Sequence, residues 1–272
     1  MFTHAARRAG EFTCPFVGLR RRGEGHVYST IGAFVVLNAE GWALTSAHLV
    51  NEIVAVEREA RGEASAIDGA EPPCTDHAEI WAVPGFSGVR PRLVDAVVRP
   101  LADLALVRLE PFDAKLVGAY PTLRDPSSQP ILQGTSVCRL GYPFHNIAVD
   151  WDDAVGEFKL PREAFPVPSF ALDGVVARFR RLTAEDGVSA ATFIETSTPG
   201  LRGQSGGPLL DVEGRVCGIQ SHTVHLDLGF DAQFQVRDQV VSERQFLNVG
   251  AATHVADVVS LLDETGVAYE LG

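Results

Sequence analysis

The chain has 272 residues, of which 46% are hydrophobic, enough for a substantial core and too many for a disordered polymer. Its 23 basic and 35 acidic side chains leave a net charge of −12, which repels nucleic acid at long range, so no nucleic-acid partner is expected. No stretch reaches the roughly 18–20 apolar residues that a bilayer span requires, so no membrane partner is expected either.

Residues 1 to 24 read as an N-terminal arm or the first strand of a domain. Arg7-Arg8 is followed by a short apolar run, broken at Pro15 and closed by Arg20-Arg21-Arg22, which does not fit a signal peptide. Ile31 to Leu37 is a strand, Asn38 to Gly41 a turn, and Trp42 to Ser46 a second strand delivering His48 at its end. Leu49 to about Ala60 carries helical periodicity. Asp103 lies between Leu101 and the apolar strand Leu104 to Leu109, where an unpaired carboxylate is costly and a buried partner is needed.

Further along, Gly203-Gln204-Ser205-Gly206-Gly207-Pro208 encloses a serine in glycines. Glycines allow the tight, partly positive-φ turn that aims two backbone N–H groups at an oxyanion, and Gly203 and Ser205 are the natural donors. Pro208 to Asp211 and Gly214 to Ile219 read as a hairpin of buried strands around the Asp211–Gly214 turn. Thr253 is placed to cap a C-terminal helix ended by Gly266. Three long connections, Arg61 to Asp76, Asn146 to about Pro168 and Leu226 to Gln245, are expected to be functional loops, the last two near the site.

A serine hydroxyl becomes a competent nucleophile when an imidazole takes its proton and a carboxylate holds that imidazole's tautomer. His48, Asp103 and Ser205 supply these groups in chain order. Their segments resemble those of trypsin-like serine peptidases, and more closely the bacterial HtrA/Deg-type branch than the secreted digestive enzymes. Cys138 to Phe144 is similar to the family's strand and Gly-x-Pro segment, Leu172 to Val176 to its Gly-[Ile/Val]-Val strand, and Asn248 to Ala252 to its closing strand. The resemblance covers about residues 25 to 266, with no PDZ-sized remainder.

It implies an all-β fold of two six-stranded Greek-key β-barrels with the active site in the cleft between them, plus a C-terminal helix. The first barrel would span about 25–125, the second about 126–250, and the helix about 253–266. The implied activity is that of a serine endopeptidase acting on a polypeptide substrate. A peptidase kept latent until a protein partner or signal orders its loops is a second form of this expectation, and a catalytically silent peptide-binding module is the alternative.

The sequence departs from the family's vertebrate-type pattern in instructive ways. Gln204 stands where Asp precedes the nucleophile, and no Ile-Val-Gly-Gly-like terminus occurs in the first 35 residues, so activation by N-terminal cleavage is not expected. Leu49 and Leu201 occupy positions where extracellular members carry Cys. The implied specificity pocket is built from Pro199, Gly200, Leu201 and Arg202 and from Gln220, Ser221, His222 and Thr223. With Pro199 at its base and no carboxylate there, a Lys or Arg preference is disfavoured and an uncharged side chain is expected. His222 is alternatively a pocket residue selecting acidic or amide side chains, or a wall. Ser221 resembles the residue that supports the aspartate and the bound peptide, which would add as a strand to the Gln220–Thr223 edge.

Cys14, Cys74, Cys138 and Cys217 lack metal-type spacing, and two fall in apolar strands. Free buried thiols, and with them a reducing compartment such as the cytoplasm, are expected. The eight histidines are dispersed, so neither metal nor cofactor is expected.

Overall fold

The structure, a computed structural model, describes residues 1–22, 25–60, 75–82, 91–237 and 239–272. In chain order, α1 (Thr3–Ala9) precedes β1 (Thr13–Arg22), β2 (His26–Val36), β3 (Trp42–Thr45), α2 (Ala47–Ala60), β4 (Thr75–Ala82), β5 (Arg92–Arg99) and β6 (Leu104–Glu110). There follow β7 (Thr122–Leu123), β8 (Ser136–Gly141), β9 (Asp150–Asp152), β10 (Glu157–Lys159), β11 (Phe170–Thr183), β12 (Ala190–Thr196) and β13 (Pro208–Leu210). The chain closes with β14 (Val216–Val236), β15 (Gln239–His254), α3 (Val255–Thr265) and β16 (Glu270–Leu271). It is mostly β-strand, with few helices.

Six strands form one sheet in the order β4-β1-β2-β3-β6-β5. A second sheet runs β13-β8-β11-β12-β15-β14-β7-β16, and an additional β13–β14 pairing closes six of its strands into a ring, leaving the two-residue β7 and β16 appended. The arm therefore holds a full strand, β1, paired with β2 from Thr13↔Val35 to Arg22↔His26. Phe16 and Phe34 on that pair meet edge to face with ring centroids 5.1 Å apart.

One apolar core runs across both sheets. Phe34, Leu44, Leu49, Leu104 and Leu106 from the first half pack in the same cluster as Leu140, Phe193, Leu210 and Ile219 from the second. A smaller cluster joins Val17, Leu19 and Ile31 to Tyr142, Ile147 and Phe158. Burial on this scale is the main force holding the halves together, and it fixes where their facing loops meet.

Several expectations need correction. The helix after β3 begins at Ala47, so His48 lies in its first turn and not at a strand end. Leu226 to Gln245 is no loop: β14 and β15 stay paired out to Val236↔Gln239, making a long two-stranded ribbon. Leu226, Leu228, Phe230, Ala232, Phe234 and Val236 recur at every second position, the period of a strand. The Asn146–Pro168 connection contains the β9–β10 hairpin. Thr253 does not cap α3. Its hydroxyl donates to Ala102 O at 2.5 Å, and His254 is the cap, Nδ1 accepting from Ala256 N at 3.0 Å. The Arg61–Asp76 connection lies almost wholly outside the described residues, as does Cys74. Cys14, Cys138 and Cys217 are buried free thiols. Burial pushes the Cys14 and Cys217 thiols up to about 12 and that of Cys138 up to about 11, so all three are unreactive at neutral pH. No helix among the described residues is long and apolar enough to cross a membrane.

Candidate active site

His48 and Asp103 are brought together by two short structures that end against each other. A 3-10 turn, Pro100–Ala102, leads into Asp103, whose backbone is left-handed at φ 46° and ψ 43°. Aspartate tolerates that region better than most residues, and the turn sends its carboxylate back toward the start of α2. Ala47 N donates to Asp103 O at 3.2 Å, and His48 N donates to Asp103 Oδ1 at 3.0 Å. The His48 ring is bound as well, with Nδ1 2.8 Å from Oδ2 and 3.1 Å from Oδ1. An ionised carboxylate only accepts, so Nδ1 carries a proton, and in the neutral ring the lone pair lies on Nε2. The imidazole is 49% exposed and the carboxylate 19%, so the ring is open while its anchor is largely covered.

Burial by itself would raise the Asp103 pKa. The His48 ring bond and charge, the Ser221 hydroxyl and the His48 backbone N–H outweigh it and hold the carboxyl below its ordinary value. Ser221 Oγ donates to Asp103 Oδ2 at 2.5 Å and also lies 2.8 Å from His222 Nδ1. With its one proton given to Asp103, Ser221 must accept from His222, which fixes the Nδ1–H tautomer and leaves Nε2 to accept from Arg180 Nη2 at 3.3 Å. Burial first, and the neighbouring Arg180 cation second, keep His222 below the usual histidine pKa and therefore neutral. The chain of donors runs Arg180, His222, Ser221, Asp103, with His48 donating from the other side. No local pattern in the sequence signals the link of Arg180 to the aspartate through His222 and Ser221.

Ser205 comes from the second half. Its loop is pinned on one side by Ala33 N donating to Ser205 O and on the other by Gly206 N donating to Gln220 O, both at 2.8 Å. Gly206 has φ 81°, and a Cβ there would lie 2.2 Å from Ala33 O, so this crossing admits only glycine. Gly203 has φ 99° and packs as tightly on Tyr142 O. Gln204 N turns inward to Leu201 O at 2.9 Å, whereas the N–H groups of Gly203 and Ser205 bond to nothing among the described residues. The fully buried Gln204 accepts from Leu201 N through Oε1 at 2.9 Å. It braces the loop from within, where a carboxylate would need a cation.

The hydroxyl of Ser205 donates to Ser221 O at 3.0 Å, and no hydrogen bond joins Ser205 to His48 among the described residues. The two walls of the expected pocket do meet. They meet so closely that they bridge: Thr223 Oγ1 donates to Gly200 O at 2.5 Å, and a Cβ on Gly200 would lie 2.4 Å from Gln220 Nε2. Gln220 Nε2 is already donating to His222 O at 3.0 Å. Pro199 turns its carbonyl to Arg139 Nη1 at 2.5 Å. Leu201 and Arg202 face elsewhere, onto a pocket of about 430 Å³ shared with Ser29, Ile31, Phe144 and Ile147.

These features meet known proteins in two ways. The model of the trypsin-like peptidase domain matches residues 32–219. Among solved structures, the HtrA-type protease AlgW with tripeptide superposes with a TM-score of 0.54 at 18% identity, covering 98% of this chain and 64% of that one. AlgW with decapeptide gives 0.55 at 18%, covering 98% and 68%. Rv3671c from M. tuberculosis, in an inactive form, gives 0.50 at 15%, covering 98% and 93%. This chain thus spans about two thirds of the length of AlgW, and the likeness is one of fold. No curated protein matches the sequence.

Proposed function

Because the chain belongs to the trypsin-like peptidase family, we propose that it is a serine endopeptidase, with His48 as base, Asp103 as its orienting partner and Ser205 as nucleophile. The two sheets are read as the two six-stranded Greek-key barrels of that fold, with the cleft between them as the active site. The observation that carries this reading is the double hold of Asp103 on His48, Nδ1 and backbone N–H together, which fixes the ring so that Nε2 is the nitrogen left to take a proton.

In the reaction, Ser205 Oγ attacks the scissile carbonyl carbon while its proton passes to His48 Nε2. The imidazolium, steadied by Asp103, gives that proton to the leaving amine as the C–N bond breaks. A water molecule then attacks the acyl-enzyme by the same route, releasing the acid and restoring Ser205. The unbonded N–H groups of Gly203 and Ser205 serve the oxyanion in both steps.

The resting form is latent. Ser205 Oγ must leave Ser221 O and turn toward His48, and the Thr223–Gly200 bridge must open before a side chain can enter. A peptide adding along Gln220–Thr223, or a protein partner ordering the loops, would supply that change. Cytoplasmic location is part of this proposal, supported by the three free thiols.

The same engagement of Ser205 by Ser221 also favours a second reading, a catalytically silent module that binds extended peptide. A fluorophosphonate probe separates the two. Covalent labelling of the full chain that disappears in Ser205→Ala is the expected result, and no labelling of wild type in the presence of peptide would leave only the binding module.

A further inference from the structure

Arg139 is the one charged side chain in β8, set between Cys138 and Leu140, and it is 1% exposed. A guanidinium taken out of water normally needs a carboxylate. The second sheet provides one elsewhere: Glu195 is held by Arg178 and Arg180, and Asp211 by Arg124 and Arg215. Arg139 has none among the described residues. Nη1 donates to Thr198 O at 3.1 Å, Pro199 O at 2.5 Å and Thr198 Oγ1 at 3.4 Å, Nη2 donates to Thr196 Oγ1, and Nε is buried without a partner. Burial pulls its pKa down only to about 10, so the group stays cationic at neutral pH.

The place of this cation is informative. The carbonyls it grips belong to Thr198 and Pro199, which lead directly into the Gly200–Arg202 wall. On its other side is Gly250, where an added Cβ would sit 2.6 Å from Nη2. Gly250 pairs with Thr223, whose hydroxyl bridges to Gly200. The guanidinium therefore lies under the closed slot between the two walls, with neutral dipoles around it and no counter-charge.

We propose that Arg139 is the specificity-determining residue of the peptidase, selecting an acidic side chain on the residue that donates the scissile carbonyl. This rests on the serine-endopeptidase reading, and it replaces the expectation of an uncharged side chain there. Once the Thr223–Gly200 bridge opens, a glutamate or aspartate entering the slot brings the missing negative charge to a cation shielded from water, where the attraction is strong. A lysine or arginine would meet like charge.

The test uses peptidyl diphenyl phosphonates that differ only in the residue bearing the warhead, Glu, Gln, Val or Lys, alongside an unselective fluorophosphonate, on the full chain. Glu should label faster than its isostere Gln by about tenfold or more, Arg139→Met should bring that ratio near one, and Arg139→Lys should keep part of it. Equal or faster labelling by Gln, Val or Lys, with fluorophosphonate still reacting at Ser205, overturns the inference and leaves the peptidase reading intact. Absence of all labelling overturns both. Should Arg139→Met not fold, the wild-type ratio and Arg139→Lys decide.

Discussion

The two sides of the seam are prepared to different degrees. On the His48 side the ring Nδ1 and the backbone N–H of His48 both bind Asp103, and the Ser221 hydroxyl donates to the same carboxylate. On the Ser205 side the groups that should work are engaged with one another, the hydroxyl with Ser221 O and the pocket walls through Thr223 and Gly200. The His48–Asp103 pair is thus built into the fold, held by short local turns. On the function proposed above, Ser205 and the pocket walls are restrained by only a few bonds that a substrate would exchange. Ser221 belongs to both sides, its hydroxyl serving Asp103 and its carbonyl restraining Ser205.

This contrast can be broken most severely on the prepared side. Asp103→Asn, which keeps the shape but removes the charge and the enforced tautomer, should lower kcat by about 10⁴-fold with little change in KM, as steady-state hydrolysis of a peptide substrate would reveal. A fall of only a few-fold would mean that Asp103 merely fills space.

Ser221→Ala probes the shared residue through stability. A hydrogen bond to a charged group contributes about 1.5–3 kcal/mol, so the variant should unfold at lower denaturant concentration near neutral pH. The sign of the pH effect follows from the lowered Asp103 pKa. Stability from a depressed carboxylate is present in full above its unfolded value and is lost as pH falls through the folded one. Denaturant midpoints of wild type and variant should therefore differ at pH 6 and converge below the ordinary carboxylate range. A gap that persists unchanged in acid would assign the effect to something other than Asp103.

The smallest expected change sharpens the contrast from the unprepared side. Thr223→Val keeps the volume and removes the bridge to Gly200, so hydrolysis without any partner should rise by about 2- to 10-fold, the range of one neutral hydrogen bond. Unchanged or reduced activity would show that the bridge does not restrain the resting enzyme.

The same division explains what was legible in the amino-acid sequence. Apolar runs such as Ile31 to Leu37 and Leu104 to Leu109 announce strands, and glycines flanking Ser205 announce the loop, because these depend on local pattern. The family's motifs pointed to His48, Asp103 and Ser205, of which the structure joins the first two by hydrogen bonds. The ribbon of β14 and β15 escaped because its alternating residues are mostly exposed, as with Phe230 and Phe234, and Gly229 reads as a turn signal. Ser221 was expected to support Asp103, but its carbonyl's grip on Ser205 depends on a bulge: Gln220 pairs with Ala252 and His222 with Ala251, leaving Ser221 unpaired and turned to the seam. Thr223 and Arg139 act through partners 23 and 60 residues away, which no local pattern reveals. A lone arginine inside an apolar strand was the available clue.

Whether His48 held by Asp103 activates Ser205 once the serine is released can be read from intact-mass measurement of fluorophosphonate labelling in wild type and His48→Ala. A single adduct, mapping to Ser205, is expected in wild type, with labelling slowed by several orders of magnitude in the variant. Equal labelling of the two proteins, or an adduct on another residue, would contradict that activation.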